Sequence, residues 1–482
     1  MITATLLAVL ALDLILPRHL KFYTAAVSVL GVSLTAVPLI ILAATGDGGP
    51  RVLFDGSYAV DGFALALKAI FVVGAYLVLL MSVSYIESDR YYQGEYYFLI
   101  LSSLLGSVVM SSARDLIVLF IGLELTTAPL FLLAGFRKGD VKSNEAALKY
   151  YVMGVLSTAL VLYGMSLLFG LTGTVEFLAL ANATPGLVGQ PALLVAVFFL
   201  AVGFGFKISA VPFHFWAPDT YEGAPTPVTA YLSVNSKAAG FVAMLLVMYL
   251  ALPGTTSVWA PALWVMAAAS MTLGNLAALR QSNIVRLLAY SSVAQGGFML
   301  VPFAAAAVEG APLSEAFAAT VIYLAIYAVM NAGAFAAVIA AARKTGTGDI
   351  DGWAGLGSFA PGLGFATTVF FFSLAGLPPL GGWFAKFVMF RSVMVAGGVA
   401  TNVLAVIAAV NAVIAFYYYA RVVKAVWLDK APDYSLGDRK AKVAGSLTLA
   451  MGIATVVVLA IGVYPSIASF IGEASQSLAA GP

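Results

Sequence analysis

Apolar runs of about 20 residues recur from one end of this chain to the other, each long enough to cross roughly 30 Å of hydrocarbon. The runs are continuous, as in "LLVAVFFLAVGFGF" from Leu193 to Phe206, and do not alternate apolar with polar. Lipid supplies no partner for backbone polar groups, so a spanning segment is either a helix or part of a closed barrel. Continuous runs exclude the barrel and predict a polytopic bundle, all α. Fourteen spans are expected, at 2–16, 22–44, 60–84, 96–112, 115–135, 146–171, 191–213, 226–251, 259–279, 283–306, 315–342, 360–396, 402–427 and 443–471.

Polar punctuation inside this pattern falls in two places. "KISAVPFHFWAPDTYEGAPTPVTAYLSVNSK", Lys207 to Lys237, carries Pro212, Pro218, Pro225 and Pro227; "AGLPPLGGWFAKF", Ala375 to Phe387, carries Pro378, Pro379, Gly381 and Gly382. Proline removes a helical hydrogen bond and frees a carbonyl. At membrane depth such groups need protein or water around them, so broken helices line cavities. The predicted breaks fall in spans seven and twelve, five apart. That spacing suits two inverted five-helix repeats, spans 4–8 and 9–13, as in transporters built from repeats. The implied division is 1–95 (three N-terminal helices), 96–251 (first repeat), 252–427 (second repeat) and 428–482 (C-terminal loop and last span).

Composition agrees. Over 482 residues the chain is 62% hydrophobic and 10% charged, with mean hydropathy +1.00, which excludes a soluble protein. A net charge of +2 argues against nucleic-acid binding. Without Cys, disulfides, thiolate-ligated clusters and Cys-based zinc sites are excluded, and His19 and His214 alone argue against a bis-His haem. "GDGG" at Gly46 reads as a loop, and no nucleotide-binding fingerprint stands in a strand–helix context. Ile2 to Leu16 lacks a basic leading segment and is read as a retained helix. Lys and Arg number 16 in the odd-numbered connections against 3 in the even ones, which hold only Arg51, Arg114 and Arg391. The positive-inside rule then places odd connections in the cytoplasm and both termini outside.

Four charged residues lie deep in apolar segments: Glu124, Lys207, Lys237 and Lys386. Each costs roughly 2.5–3.5 kcal/mol on insertion scales, so a chain that keeps them is expected to use them, and moving protons is the natural use. Glu124 falls about 14 Å into span five. Lys207 precedes the first break, and burial of an ammonium beside a facing carboxylate makes a Glu124–Lys207 pair a candidate switch. Lys237 lies too deep in span eight to snorkel. Lys386 follows the second break and has no obvious acidic partner in the second half: span ten offers Tyr290, Ser291, Ser292 and Gln295, but no carboxylate. For each, the structural alternative is a side chain that merely satisfies buried partners. Lys149 either snorkels, pairs with Glu145, or feeds protons toward Glu124. His214, beside the first break, is a structural hydrogen-bonding residue or a relay. Lys68 either snorkels or faces a partner subunit, Asp13 reads as structural, and Asp219 and Glu222 as solvated.

The motifs "GLELTTAPLFLLAGF", "NEAALKYYVMG", "KISAVPFHFWAPDTYEGAPTPVTAYLSVNSKAAGF", "LLAYSSVAQGGFML" and "AGLPPLGGWFAKF" resemble the antiporter-like membrane-arm subunits of proton-pumping NADH:quinone oxidoreductase, respiratory complex I, and among these the subunit N type. The resemblance spans nearly the whole chain. It implies fourteen helices with two inverted five-helix repeats. Glu124 would be the span-five glutamate, Lys207 its partner, Lys237 the span-eight lysine, Lys386 the span-twelve lysine and Lys149 a span-six lysine. It further implies a multi-pass protein of a bacterial inner membrane, M-like and K-like neighbours, and FMN, iron–sulfur clusters and quinone held in partner subunits, with no redox group in this chain. The expected function is proton translocation from the cytoplasm outward, driven by redox chemistry elsewhere. The rival is a cation/proton antiporter of the related secondary-transport class; a scaffold with vestigial charges would not explain why deep charges coincide with two breaks.

Overall fold

The structure, a computed structural model, describes residues 1–45, 51–89, 93–308, 310–431 and 442–479, without the side chains of 88, 89, 93 and 473–479. The "GDGG" loop, Arg90, Arg439 and Lys440 therefore lie outside the described residues. The order is α1 (Ile2–Ile15), α2 (Phe22–Thr45), a hairpin of β1 (Arg51–Leu53) and β2 (Tyr58–Val60), α3 (Gly62–Asp89), α4 (Gln93–Met110), α5 (Leu116–Ala134) and α6 (Val141–Thr172). Next come α7 (Phe177–Ala183), α8 (Pro191–Lys207), α9 (Trp216–Gly223), α10 (Thr226–Tyr231) and α11 (Lys237–Leu245). The second half holds α12 (Thr256–Leu279), α13 (Ile284–Ala305), α14 (Leu313–Thr345), α15 (Leu356–Phe359), α16 (Pro361–Ala375), α17 (Gly381–Ala396), α18 (Val399–Trp427), α19 (Gly445–Val463) and α20 (Ser466–Ala479).

Among the described residues, ten helices are long and apolar enough to cross a membrane. One of them is the continuous segment Thr226–Ala251, in which π-helical turns at Leu232–Ser236 and Leu246–Ala251 flank α11. The remaining predicted spans fall on α1, α4 and the two broken pairs, α8 with its following segment and α16 with α17. A helix that is apolar on every side must be enclosed by protein or lipid, and burial separates the two cases. α14 is buried without interruption from Ala316 to Ala341, and α11 throughout; α2, α6 and α18 keep large apolar side chains exposed, the faces a lipid solvent accepts. The core thus centres on α14, the Thr226–Ala251 segment and α13.

The predicted last span, 443–471, is interrupted. α19 stops at Val463 and α20 begins at Ser466. Pro465 disfavours helical backbone in the residue before it, and Tyr464 accordingly sits at φ −123°, ψ 77°.

The repeat is visible in one duplicated local structure. α6 ends in Thr172-Gly173-Thr174-Val175-Glu176 and α14 in Thr345-Gly346-Thr347-Gly348-Asp349. Gly173 and Gly346 both adopt the left-handed conformation, φ 72° and 75°. The hydroxyls of Thr172 and Thr345 each donate to the carbonyl four residues back and to the one two residues on. Thr174 and Thr347 accept from the amides of Glu176 and Asp349. Each turn then pairs with the start of the preceding helix: Leu116 N donates to Val175 O and Phe177 N to Arg114 O, while Ile284 N donates to Gly348 O and Ile350 N to Ser282 O. α5–α6 and α13–α14 are therefore equivalent units, as a five-helix repeat requires.

Candidate functional site

Two breaks and the helix between them form the site. α8 ends at Lys207, and the chain runs without regular structure until α9. Its loose ends are tied individually: Val211 N donates to Ser270 Oγ at 2.9 Å and Trp216 Nε1 to Phe206 O at 3.2 Å. Ile208 O, freed by the break, accepts from Lys237 Nζ at 2.8 Å. The second break separates α16 from α17, and Lys386 of α17 folds back to the carbonyl of Ala375, the last residue of α16, at 2.7 Å.

Glu124 and Lys207 are brought together as predicted. Lys207 Nζ stands 3.4 Å from Glu124 Oε1 but donates to Thr127 Oγ1 at 2.7 Å. Lys207 is enclosed, its side chain 2% exposed, whereas Glu124 keeps 26%. The same Glu124 oxygen accepts from Thr158 Oγ1 at 2.8 Å. Thr127 lies one turn beyond Glu124 on α5, and Thr158 faces it from α6. Sequence reasoning missed both threonines.

Lys237 directly follows the π-helical turn, a distortion often found at functional positions. It touches no carboxylate among the described residues. Its ammonium donates to two main-chain carbonyls, Ile208 O and Ser292 O, the latter at 2.7 Å. α13 comes this close because Gly296 has no side chain: a Cβ there would stand 3.2 Å from Ile208 O and 3.4 Å from Lys237 Nζ.

α13 spans the distance between the breaks. Ser292 faces the first: its hydroxyl accepts from Tyr327 OH at 3.0 Å and lies 3.4 Å from Tyr221 OH. One turn on, Gln295 faces the second: Nε2 donates to Leu374 O at 2.9 Å and to Tyr419 OH at 3.3 Å, and Oε1 accepts from Tyr323 OH at 2.6 Å. Ser291 Oγ lies 2.5 Å from Tyr419 OH. Gln295 and Lys386 thus hold adjacent carbonyls, Leu374 and Ala375, at the end of α16. Lys386 Nζ also sits 4.8 Å above the Phe298 ring. Lys386 has no carboxylate partner among the described residues. The tyrosines were not anticipated, since isolated Tyr in an apolar helix gives no signal.

The two weaker candidates stand apart. His214 is half-buried in the first break and bonds to none of the four charged residues. Lys149 does not face Glu124. It pairs with Glu145 and with Asp219, both at 2.6 Å. Asp219 and Glu222, expected to be solvated, instead join a network on α9: Arg286 Nη1 reaches Asp219 at 2.9 Å and Glu222 at 2.8 Å, and Lys142 reaches Glu222 at 3.0 Å. Partial burial raises the Asp219 carboxyl, but hydrogen bonds from Lys149 and Arg286 outweigh it and hold the group below its ordinary range. Glu222 is held down in the same way, against its own burial, by Arg286 and Lys142. Arg286 starts α13, so the network joins the first break to the second repeat.

Known proteins resemble this chain in sequence and fold. Residues 113–414 match the family described as NADH:quinone oxidoreductase/Mrp antiporter, TM. NADH-quinone oxidoreductase subunit N of Trichlorobacter lovleyi is 41% identical over 420 residues, 86% of this chain and 84% of that protein. A chain of respiratory complex I from Thermus thermophilus superposes with a TM-score of 0.79 at 32% identity, covering 97% of each chain. A chain of the Mrp complex from Dietzia sp. reaches 0.86 at 20% identity, covering 100% of this chain and 96% of that one, which shows a shared fold. On these grounds the chain belongs to the NADH:quinone oxidoreductase/Mrp antiporter transmembrane family, among the subunit N proteins of NADH-quinone oxidoreductase.

Proposed function

We propose that this chain is the subunit N of a redox-driven NADH:quinone oxidoreductase and carries protons across a bacterial inner membrane through its own buried lysines, performing no redox chemistry itself. Fourteen crossings, with both termini on the outer side, follow from the loop-charge bias. FMN, iron–sulfur clusters and quinone belong to partner subunits, and other membrane-arm subunits flank the chain.

The observation that carries this reading is the continuity between two broken helices. Glu124 and Lys207 meet at the first break, Lys237 ties that break to α13 through Ile208 O and Ser292 O, and Gln295 ties α13 to the carbonyl beside the one Lys386 holds. Charges at this depth are kept for a function. In the proposed cycle, Lys207 exchanges its proton according to how closely Glu124 approaches. Lys237 receives the proton, and the hydroxyl and amide groups of Ser292, Tyr327, Gln295 and Tyr323 line the way to Lys386. Lys149 and Asp219 stand on the cytoplasmic side of this route, where protons are taken up, and His214 lies beside it.

The test is Lys207→Ala in the assembled complex. Loss of most pumping-linked turnover with assembly intact is the expected result; wild-type pumping sinks the reading. Cation/proton exchange by the purified chain alone would instead support the antiporter alternative.

A further inference from the structure

The first break contains a residue that its backbone role does not explain. α8 closes with a left-handed cap: Ser209, at φ 58°, donates its amide to Phe206 O, and Ala210 N reaches back to Gly205 O at 2.8 Å. α16 closes at the second break with the same pair of bonds. There Gly376, at φ 90°, donates to Ser373 O, and Leu377 N reaches back to Phe372 O. This cap position favours glycine, since a Cβ destabilises the left-handed conformation by roughly 1–2 kcal/mol. One repeat meets the preference with glycine and the other holds a serine against it.

The serine hydroxyl is also unspent. Ser209 is 1% exposed, and its Oγ has no hydrogen-bond partner among the described residues. A buried hydroxyl left unpaired costs about 1–3 kcal/mol, so this position carries two penalties at once. Strained backbone clusters at functional sites, and a buried unsatisfied group calls for an explanation such as a catalytic role or a bound water. Its neighbours indicate the function. Lys207 precedes it by two residues, and the carbonyl between them, Ile208 O, is the one that holds Lys237.

We propose that the Ser209 hydroxyl is a proton-conducting group: it binds water in the first break and passes the proton between Lys207 and Lys237. The hydroxyl accepts a proton from hydrated Lys207 on one lone pair as it releases its own toward Lys237, so no charge remains on the serine. This rests on the reading of the chain as a proton carrier. It assigns the link between the two lysines to a side chain, not to backbone carbonyls, which accept a hydrogen bond but have no proton to give.

Ser209→Gly separates the hydroxyl from the backbone, because glycine suits the left-handed cap and leaves the fold unstrained. In the complete complex reconstituted into vesicles, Ser209→Gly is expected to assemble normally, lose most pumping-linked turnover, and show a larger solvent deuterium isotope effect on what remains. Ser209→Ala should lose turnover to the same extent. Wild-type turnover and isotope effect in Ser209→Gly would overturn the proposal, and a defect in Ser209→Ala alone would do so by showing that only backbone conformation matters. Lys207→Ala, run beside them, separates the two claims: a dead Lys207→Ala with a normal Ser209→Gly refutes the serine alone, whereas a normal Lys207→Ala refutes the carrier itself.

Discussion

Lys207 is held by Thr127 more closely than by Glu124, at 2.7 Å against 3.4 Å. The hydroxyl fixes the ammonium and the carboxylate stands off, so small shifts of α5 against α8 change the charge pairing while Lys207 keeps a hydrogen bond. Thr158, on the far side of Glu124, sets the carboxylate's position.

Removing either threonine should therefore move the pair in a known direction. Thr158→Val deletes a hydrogen bond to a charged group, worth about 1.5–3 kcal/mol, and frees Glu124 to close on Lys207. If that energy enters the barrier for proton release, turnover falls by about tenfold or more. Thr127→Val leaves Lys207 with Glu124 alone and should act in the same sense. Quinone-linked turnover of assembled complex in membranes is the measurement; two unaltered variants would show that the pairing distance is irrelevant.

The link from α13 to the second break runs through uncharged groups. Gln295→Leu removes the bonds to Leu374 O and Tyr419 and orphans Tyr323, while Tyr323→Phe removes one bond only. Groups in one hydrogen-bond network are coupled, so the double variant should be no worse than Gln295→Leu. A double-mutant cycle on pumping rate tests this, and strictly multiplicative losses would show that the two residues act separately.

Gly296→Ala poses opposing effects on stability. Alanine favours helix by about 1 kcal/mol, but its methyl would press on Ile208 O and Lys237 Nζ at 3.2 and 3.4 Å, and overpacking costs roughly 1–3 kcal/mol. The thermal midpoint should change little while proton-coupled turnover drops, because α13 must shift away from Lys237. Comparison of the melting curve with pumping in the same preparation decides it.

The network on α9 predicts a pH dependence. Asp219 and Glu222 are held below their ordinary range in the folded protein. Their contribution is therefore present above the unfolded values near 4 and is lost only as pH falls further. Arg286→Gln removes two partly exposed pairs and should destabilise by about 1 kcal/mol. That difference from wild type should hold constant between pH 7 and pH 5 and shrink below about pH 4. A difference that vanished already near pH 6 would point to another group.

The sequence announced what breaks a pattern. A charge inside an apolar run and Pro-Pro or Gly-Gly inside a span are local contrasts, so Glu124, the three lysines and both interruptions were legible. Outside span ten, where Ser291, Ser292 and Gln295 stood out, hydroxyl and amide side chains were not. Ser, Thr and Tyr sit in apolar helices without altering the period, and many bond only to the preceding turn, so nothing in the string distinguishes Thr127 or Tyr323 from Thr126 or Tyr231. The ion network was missed for a different reason: Asp219, Glu222, Lys142 and Arg286 come from three separate stretches of chain and meet only once the helices pack. The interruption at Pro465 and the two Thr-Gly-Thr turns were open to sequence reading. The first is a lone proline in an otherwise continuous run, and the second a match of only a few residues.

Lys237 holds on to main chain alone, Ile208 O and Ser292 O. No substitution of a single side chain can delete either acceptor, reverse its charge or change its length. This makes the two acceptors of Lys237 the part of the route most insulated from mutational drift. Its two hydrogen bonds change when either stretch of backbone moves, so whatever alters the shape of the first break, or the position of α13 against it, is read at this ammonium.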